Sequence, residues 1–472
     1  MILNMKKIHK IVLSACLVLS VTSCSKLEDF GDTNVNPGTV NDPVIGGLLT
    51  NVEANISGYA YDAQGGIYAQ YFSETQYTDA SRYSRPESSF TGYYSGYLND
   101  LQNIINTGES NNMSVIAKIL QQYIYFIVTN KWGDVPYSEA LQGAENFSPK
   151  YDRQEDIYKG IFQALTTAVD SFDDSAITGD IIFNGDIDAW RRAANSLKLI
   201  AAIQLSKKVP AADDFAATAF REALSATGGV ITSNAQNFQV NYPGGNFQSP
   251  YFTRYLTRQD YGESAPMIEL LQGFNDTRQS VYGTSTVGVP YGLPRGDAEA
   301  FTSSHGNWSR IFAVDARPED ASVFLISAAQ VALARAEAAD IGWTTESLAT
   351  LYEEGIQLSH EQWGVSMSSG YLSGSGVALT AGAGSGANLE QISIQRYIAS
   401  YPDGMQAWNI WRKSGYPVLT PSPAPLNESG EIPRRLIYAS SEFSSNEEAV
   451  NEAIANLPGG NTAEARVWWD QE

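Results

Sequence analysis

Tyrosine, tryptophan and arginine gather on stretches of this chain that no regular pattern organises. Tyr71, Tyr77, Arg82 and Tyr83 fall in one such stretch, and Tyr291, Arg295, Trp308 and Arg310 in another, from a total of 26 Tyr and 9 Trp. Flat rings stack on the apolar faces of sugars, and Asn, Asp or Arg beside them bond hydroxyls, so the mixture suits a neutral glycan; it also suits a peptide. Tyr71, Tyr77, Arg82, Tyr83, Tyr291, Arg295 and Trp308 are therefore the candidate ligand contacts. Other chemistry has little to draw on. His9, His305 and His360 stand apart in the sequence, too few and too scattered for a zinc triad or a Ser-His-Asp arrangement, so no metal or cofactor is expected. Gly374-Ser375-Gly376 and Gly382 to Gly386 have no strand before them and no Lys-Ser/Thr after them, which removes a phosphate cradle. Acidic pairs are plentiful, which keeps an all-helical glycan hydrolase using two carboxylates as an alternative.

The elements that must position these groups are mainly helical. Ile116, Leu120, Tyr123 and Ile127 recur at helical spacing up to Gly133. Asp152 and Glu155 read as a capping box before the stripe Ile157, Ile161, Leu165, Ala168 and Phe172, and Trp190, Ala194, Leu197, Ala201 and Leu205 form another stripe. An alanine-rich helix is expected from about Ser322 to Asp340, then a turn at Gly342 and a partner helix through Leu348, Tyr352, Ile356 and Trp363. That arrangement resembles tetratricopeptide packing, so a scaffold binding only protein is a further alternative. The aromatic stretches from Tyr59 to Tyr97, Tyr242 to Tyr261 and Tyr282 to Trp308 are too rich in rings for disorder and should pack on the scaffold. Ser368 to Ala387, mostly Gly, Ser and Ala, reads as a mobile surface loop. Little β structure is expected, at most a small hairpin of Ile231-Thr232 with Phe238 to Val240.

The first 43 residues carry a different signal. Lys6, Lys7 and Lys10 precede an apolar run from Ile11 to Leu19, shorter than the roughly 20 apolar residues a membrane span takes. Val21-Thr22-Ser23-Cys24 then resembles a lipobox, which makes 1–23 a lipoprotein signal peptide and Cys24 the acylated first residue of the mature chain. Residues 24–43 read as a flexible acidic tether, and 44–472 as one helical ligand-binding domain. Glu28, Asp29 and Asp32 resemble an export signal toward the cell surface. Cys16 leaves with the leader, so the mature chain has no disulfide. Losing three lysines and no acid takes the net charge from −22 to −25. A body this acidic repels phosphate backbones and anionic head groups, which excludes nucleic acid and leaves the acyl chains to hold the membrane lipid. A polyanionic ligand is disfavoured too, unless Arg82, Arg254, Arg258 or Arg295 cluster.

Islands along the whole chain resemble the SusD/RagB-like nutrient-binding outer-membrane lipoproteins, in the branch with compact loops. They include Asn34-Val35-Asn36-Pro37, Asn130-Lys131-Trp132-Gly133-Asp134-Val135-Pro136-Tyr137, Asn195-Ser196-Leu197-Lys198 and Ala334-Arg335-Ala336-Glu337-Ala338. Tyr401-Pro402-Asp403-Gly404, Lys413-Ser414-Gly415-Tyr416-Pro417, Ile432-Pro433-Arg434-Arg435 and Val467-Trp468-Trp469-Asp470 continue the pattern. Thr277, where a Pro is usual, and Gln330, where an acid is common, depart from it. The resemblance implies four tetratricopeptide-like helix pairs in a right-handed superhelical scaffold under a face of long irregular loops. It implies a non-enzymatic receptor for an oligosaccharide or peptide, lipid-anchored and facing the exterior, partnered by a SusC-like TonB-dependent β-barrel transporter.

Overall fold

Helix α1 (Ile45–Asn55) opens the ordered architecture of the computed structural model, which describes residues 44–84 and 87–472. The expected signal peptide, Cys24 and the tether lie outside the described residues. The scaffold follows as α2 (Asn99–Thr107), α3 (Asn111–Trp132), α4 (Gln154–Asp170), α5 (Ile187–Gln204) and α6 (Phe215–Ser225). After a long irregular passage come α7 (Ala328–Asp340), α8 (Leu348–Gln362), α9 (Leu389–Ala399) and α10 (Gly404–Ser414). Successive helices pack in pairs, α2 on α3, α5 on α6, α7 on α8 and α9 on α10, while α7 also meets α5 and joins the two halves. The fold is mainly α with tetratricopeptide-like pairs.

Local chemistry sets the boundaries. Ser110 caps α3 by accepting from the Met113 N–H at 3.2 Å, and the helix stops at Gly133, whose φ of 95° favours glycine and whose N–H reaches Thr129 O at 2.8 Å. The expected capping box at Asp152 does not form. Asp134 reaches the start of α4 instead, accepting from the Gln154 N–H at 2.8 Å, while Asp152 accepts from the N–H groups of Tyr137 and Ser138. The alanine-rich helix starts at Ala328, not near Ser322, because Ser327 and Gln330 form a reciprocal capping box. Gln330 carries an acceptor oxygen as an acid does, so that departure from the family pattern keeps the bond to the Ser327 N–H at 2.9 Å. Small residues let α7 and α8 approach: a Cβ on Gly355 would stand 2.6 Å from Leu333 Cγ.

The residues before Ser327 form a strand. The short strands are β1 (Phe72–Glu74), β2 (Glu87–Ser88), β3 (Phe238–Val240), β4 (Tyr261–Glu263), β5 (Val323–Ile326) and β6 (Ile437–Tyr438). β3 pairs antiparallel with β5 rather than with Ile231-Thr232, β1 antiparallel with β4, and β2 parallel with β6. The Gly/Ser/Ala stretch is anchored, with Tyr371 and Val377 buried and the N–H groups of Gly384 and Gly386 bonded to carbonyls at the end of α7.

Charges are buried at the helix junctions. Glu337 on α7 is closed by Arg396 of α9 and Lys413 of α10, with Ser206 Oγ donating at 3.0 Å. Burial pushes the Glu337 carboxyl up, and the two cations outweigh it and hold it below its ordinary range. Asp276 and Arg278, bonded at 2.6 Å, form a second buried pair with Tyr371 and Gln395.

Candidate ligand-binding face

The segments that carry most of the loop aromatics are sewn together by main-chain bonds. The β1–β4 ladder runs on past its last pair, with the Thr75 N–H on Asp260 O at 2.9 Å and Thr75 Oγ1 on Gln259 O at 2.6 Å. On the other edge of β4 the Glu263 N–H meets Ser309 O at 3.0 Å, and the Val289 N–H meets Glu263 O at 2.9 Å. Gly262 makes this closeness possible, since a Cβ there would lie 2.5 Å from Val289 Cγ2 and 3.1 Å from the Trp308 ring. Four segments distant in sequence thus form one platform.

Side chains stand on two parts of it. At the open end of the ladder Tyr77 is 52% exposed, and the guanidinium carbons of Arg258 and Arg295 each lie 5.1 Å from its ring centre. Arg258 is held by Asp260 at 2.6 Å and Arg295 by Glu299 at 2.8 Å, which fixes both around the ring. Gln259, between Arg258 and Asp260, also lines a cavity of about 610 Å³ formed with Phe252, Tyr255, Leu256, Arg310, Val314, Asp315, Arg317 and Pro318. Arg310 stacks 3.7 Å over the Trp308 ring and donates to Gln259 Oε1 at 2.9 Å. Arg317 lies 4.5 Å over the Tyr255 ring. The Tyr255 hydroxyl donates to Tyr261 O at 2.7 Å and accepts from the Ile311 N–H at 2.9 Å, so the ring is fixed. The face therefore offers an exposed ring, a cavity with apolar walls, and guanidinium and amide donors.

Two buried carboxyls lie in the platform. Burial pushes Glu263 up to about 8, although Ser309 Oγ donates to it at 2.8 Å. Burial likewise lifts Glu74 to about 7 against bonds from Ser81. Among the described residues no group of three His, Cys, Asp or Glu could hold a metal ion.

Residues 33–439 match the family model described as starch-binding, associating with outer membrane. The chain belongs to the SusD-like family. Its fold superposes on a chitin-binding SusD homologue from Flavobacterium johnsoniae with a TM-score of 0.79 at 25% identity, covering 91% of this chain and 99% of that one. A SusD homologue from Bacteroides uniformis gives 0.78 at 26% identity, covering 91% and 100%. A search of curated proteins returned no match. No helix among the described residues of this SusD-like chain is long and apolar enough to cross a membrane.

Of the sequence-selected contacts, the fold brings Tyr77 and Arg295 together, and Trp308 adjoins the cavity through Arg310. Trp308 itself is buried, with its carbonyl accepting from Arg310. Tyr71 is fully buried, its hydroxyl donating to Tyr397 O and its ring packed 4.7 Å from that of Tyr397. Tyr83 is buried too, accepting from the Ser422 N–H at 3.0 Å. Arg82 donates to Ala424 O at 2.7 Å. Tyr291, nearly closed off, lines another cavity with Gln70, Tyr397 and the proline-rich segment around Val418. These four thus tie loops to the scaffold and to the 417–424 segment. Sequence alone does not point to Tyr255, Gln259 and Arg317 as contacts; the first two lie in the aromatic stretch from Tyr242 to Tyr261, while no pattern marks Arg317.

Proposed function

We propose that this SusD-like chain is a non-enzymatic receptor that captures an oligosaccharide at the platform and delivers it to a SusC-like TonB-dependent transporter. In this reading 1–23 is a cleaved leader, Cys24 carries the lipid, 24–43 is the tether, and 44–472 is the receptor domain at the outer-membrane surface. The observation that carries it is Tyr77, a half-exposed ring clasped by two guanidinium groups beside a cavity with fixed aromatic walls. An exposed flat ring with donors on its flanks meets the alternating apolar and hydroxyl surfaces of a sugar. The chitin-binding relative supports a glycan over a peptide.

Calorimetric titration of the mature protein against a panel of neutral and acidic oligosaccharides and short peptides tests the reading. Tyr77→Ala should weaken glycan binding about tenfold, with an unchanged circular dichroism spectrum because the ring is largely outside the core. Equal affinity in the variant would remove Tyr77 from the site. Binding of peptides alone, or sustained release of product from a glycan, would replace the reading.

A further inference from the structure

Arg310 and Arg317 line the same cavity, and among the described residues neither has a carboxylate within ion-pairing distance. Arg258 and Arg295 on the same face, by contrast, each hold an acid. The acids nearby are otherwise placed. Asp315 lines the cavity too but is exposed and makes no ion pair among the described residues, and Glu319 accepts from Gly245 and Gln248. Arg310 spends its other N–H groups on the carbonyls of Gly306 and Trp308 and on Gln259, which locks its plane and leaves one N–H of Nη2 free. The Arg317 guanidinium has no hydrogen bond among the described residues, and its buried Nε lacks a partner. Burial, with Arg317 adding to it, holds Arg310 below its ordinary value, the mark of a cation lacking an opposite charge.

Resting on the capture reading above, we infer that the cavity takes an acidic sugar, with the carboxylate of a uronic acid unit between Arg310 and Arg317 and its ring against Tyr255 and Phe252. Arg317 presents paired N–H donors in a plane that matches a carboxylate, Arg310 adds its one free N–H, and a charge-assisted bond is roughly twice as strong as a neutral one. The overall negative charge gives the rest of the surface no attraction for such a ligand, so discrimination rests on this pair.

The test titrates the mature protein with tetramers of galacturonate, mannuronate and glucuronate, each against its carboxyl-reduced counterpart. At least one uronate should bind about tenfold more tightly than its reduced form, with the difference shrinking as salt is raised. Arg317→Gln should abolish the difference between the acidic and reduced forms, and Arg317→Lys should keep part of it. Circular dichroism and thermal melting confirm that each variant is folded. Equal affinity for acidic and reduced forms, or a preference that survives Arg317→Gln, overturns the inference and leaves glycan capture standing. If these tetramers fail but a neutral glycan binds, the acidic ligand is wrong and capture holds; if no glycan binds, both fall.

Discussion

Glu263 shows how one residue of the platform couples its chemistry to stability. Its carboxyl would ionise near 4.5 in the unfolded chain and only near 8 in the folded one, because burial opposes the charge and Oε1 has no hydrogen-bond partner. The folded state therefore holds the proton while the unfolded state has released it, and stability from this residue falls as pH rises from 4.5 to about 8, then levels. Glu263→Gln keeps an acceptor for Ser309 and removes the ionisation, so it should raise stability by about 2–4 kcal/mol at pH 8.5 and by little at pH 4.5. Urea denaturation at the two pH values checks this, and an equal effect at both would show that Glu263 does not titrate with folding. The same scale shows where sequence reading stops. Tyr77 and Tyr71 are six positions apart on one aromatic stretch, yet one ring is half exposed and the other sealed against Tyr397. In a helix, periodicity would have said which side faces in; in an irregular segment no period exists, and tyrosine, apolar in its body and polar at its tip, fits either place.

At the scale of elements, Glu337 fastens α7 to α9 and α10. Glu337→Gln would leave Arg396 and Lys413 buried without a full counter-charge, and we expect a loss of about 3–5 kcal/mol, read by chemical denaturation. A loss well under 1 kcal/mol would mean that water or rearrangement satisfies both cations. The helices themselves were legible. The stripe from Ile116 to Ile127 and the stop at Gly133 match α3, and the turn at Gly342 separates α7 from α8. Contacts between distant segments were not. Asp152 and Asp134 both lie near the start of α4, and choosing between them requires knowing that the chain folds back at Val135 to bridge to Asp152. Val323 to Ile326 continue apolar into the alanine-rich run, and only their pairing with β3 makes them a strand.

For the whole molecule, the proposed anchor at Cys24 and the body answer to different forces. The described residues contain no membrane-crossing helix, and a net charge of −22 gives the body no electrostatic hold on anionic lipid. Cys24→Ala should therefore move the protein from the membrane fraction to the soluble fraction without altering its glycan affinity in solution. Retention of the variant in washed membranes would point to a hold supplied by the transporter or by the body itself. Family and fold class were readable because their motifs mark helix ends and junctions, as Gly133, Asp134 and Glu337 do. The ligand was not, since its determinants are single side chains such as Arg317 whose meaning depends on what stands opposite.

The stitching of the platform relies on peptide groups and on hydroxyls such as those of Thr75, Ser73 and Ser309, while Tyr77 and Arg295 project from its end and Arg258 ties back only to Asp260. Under the proposed capture role, a lineage of such chains changes diet by exchanging those few tips, one codon at a time, and keeps the frame that holds them.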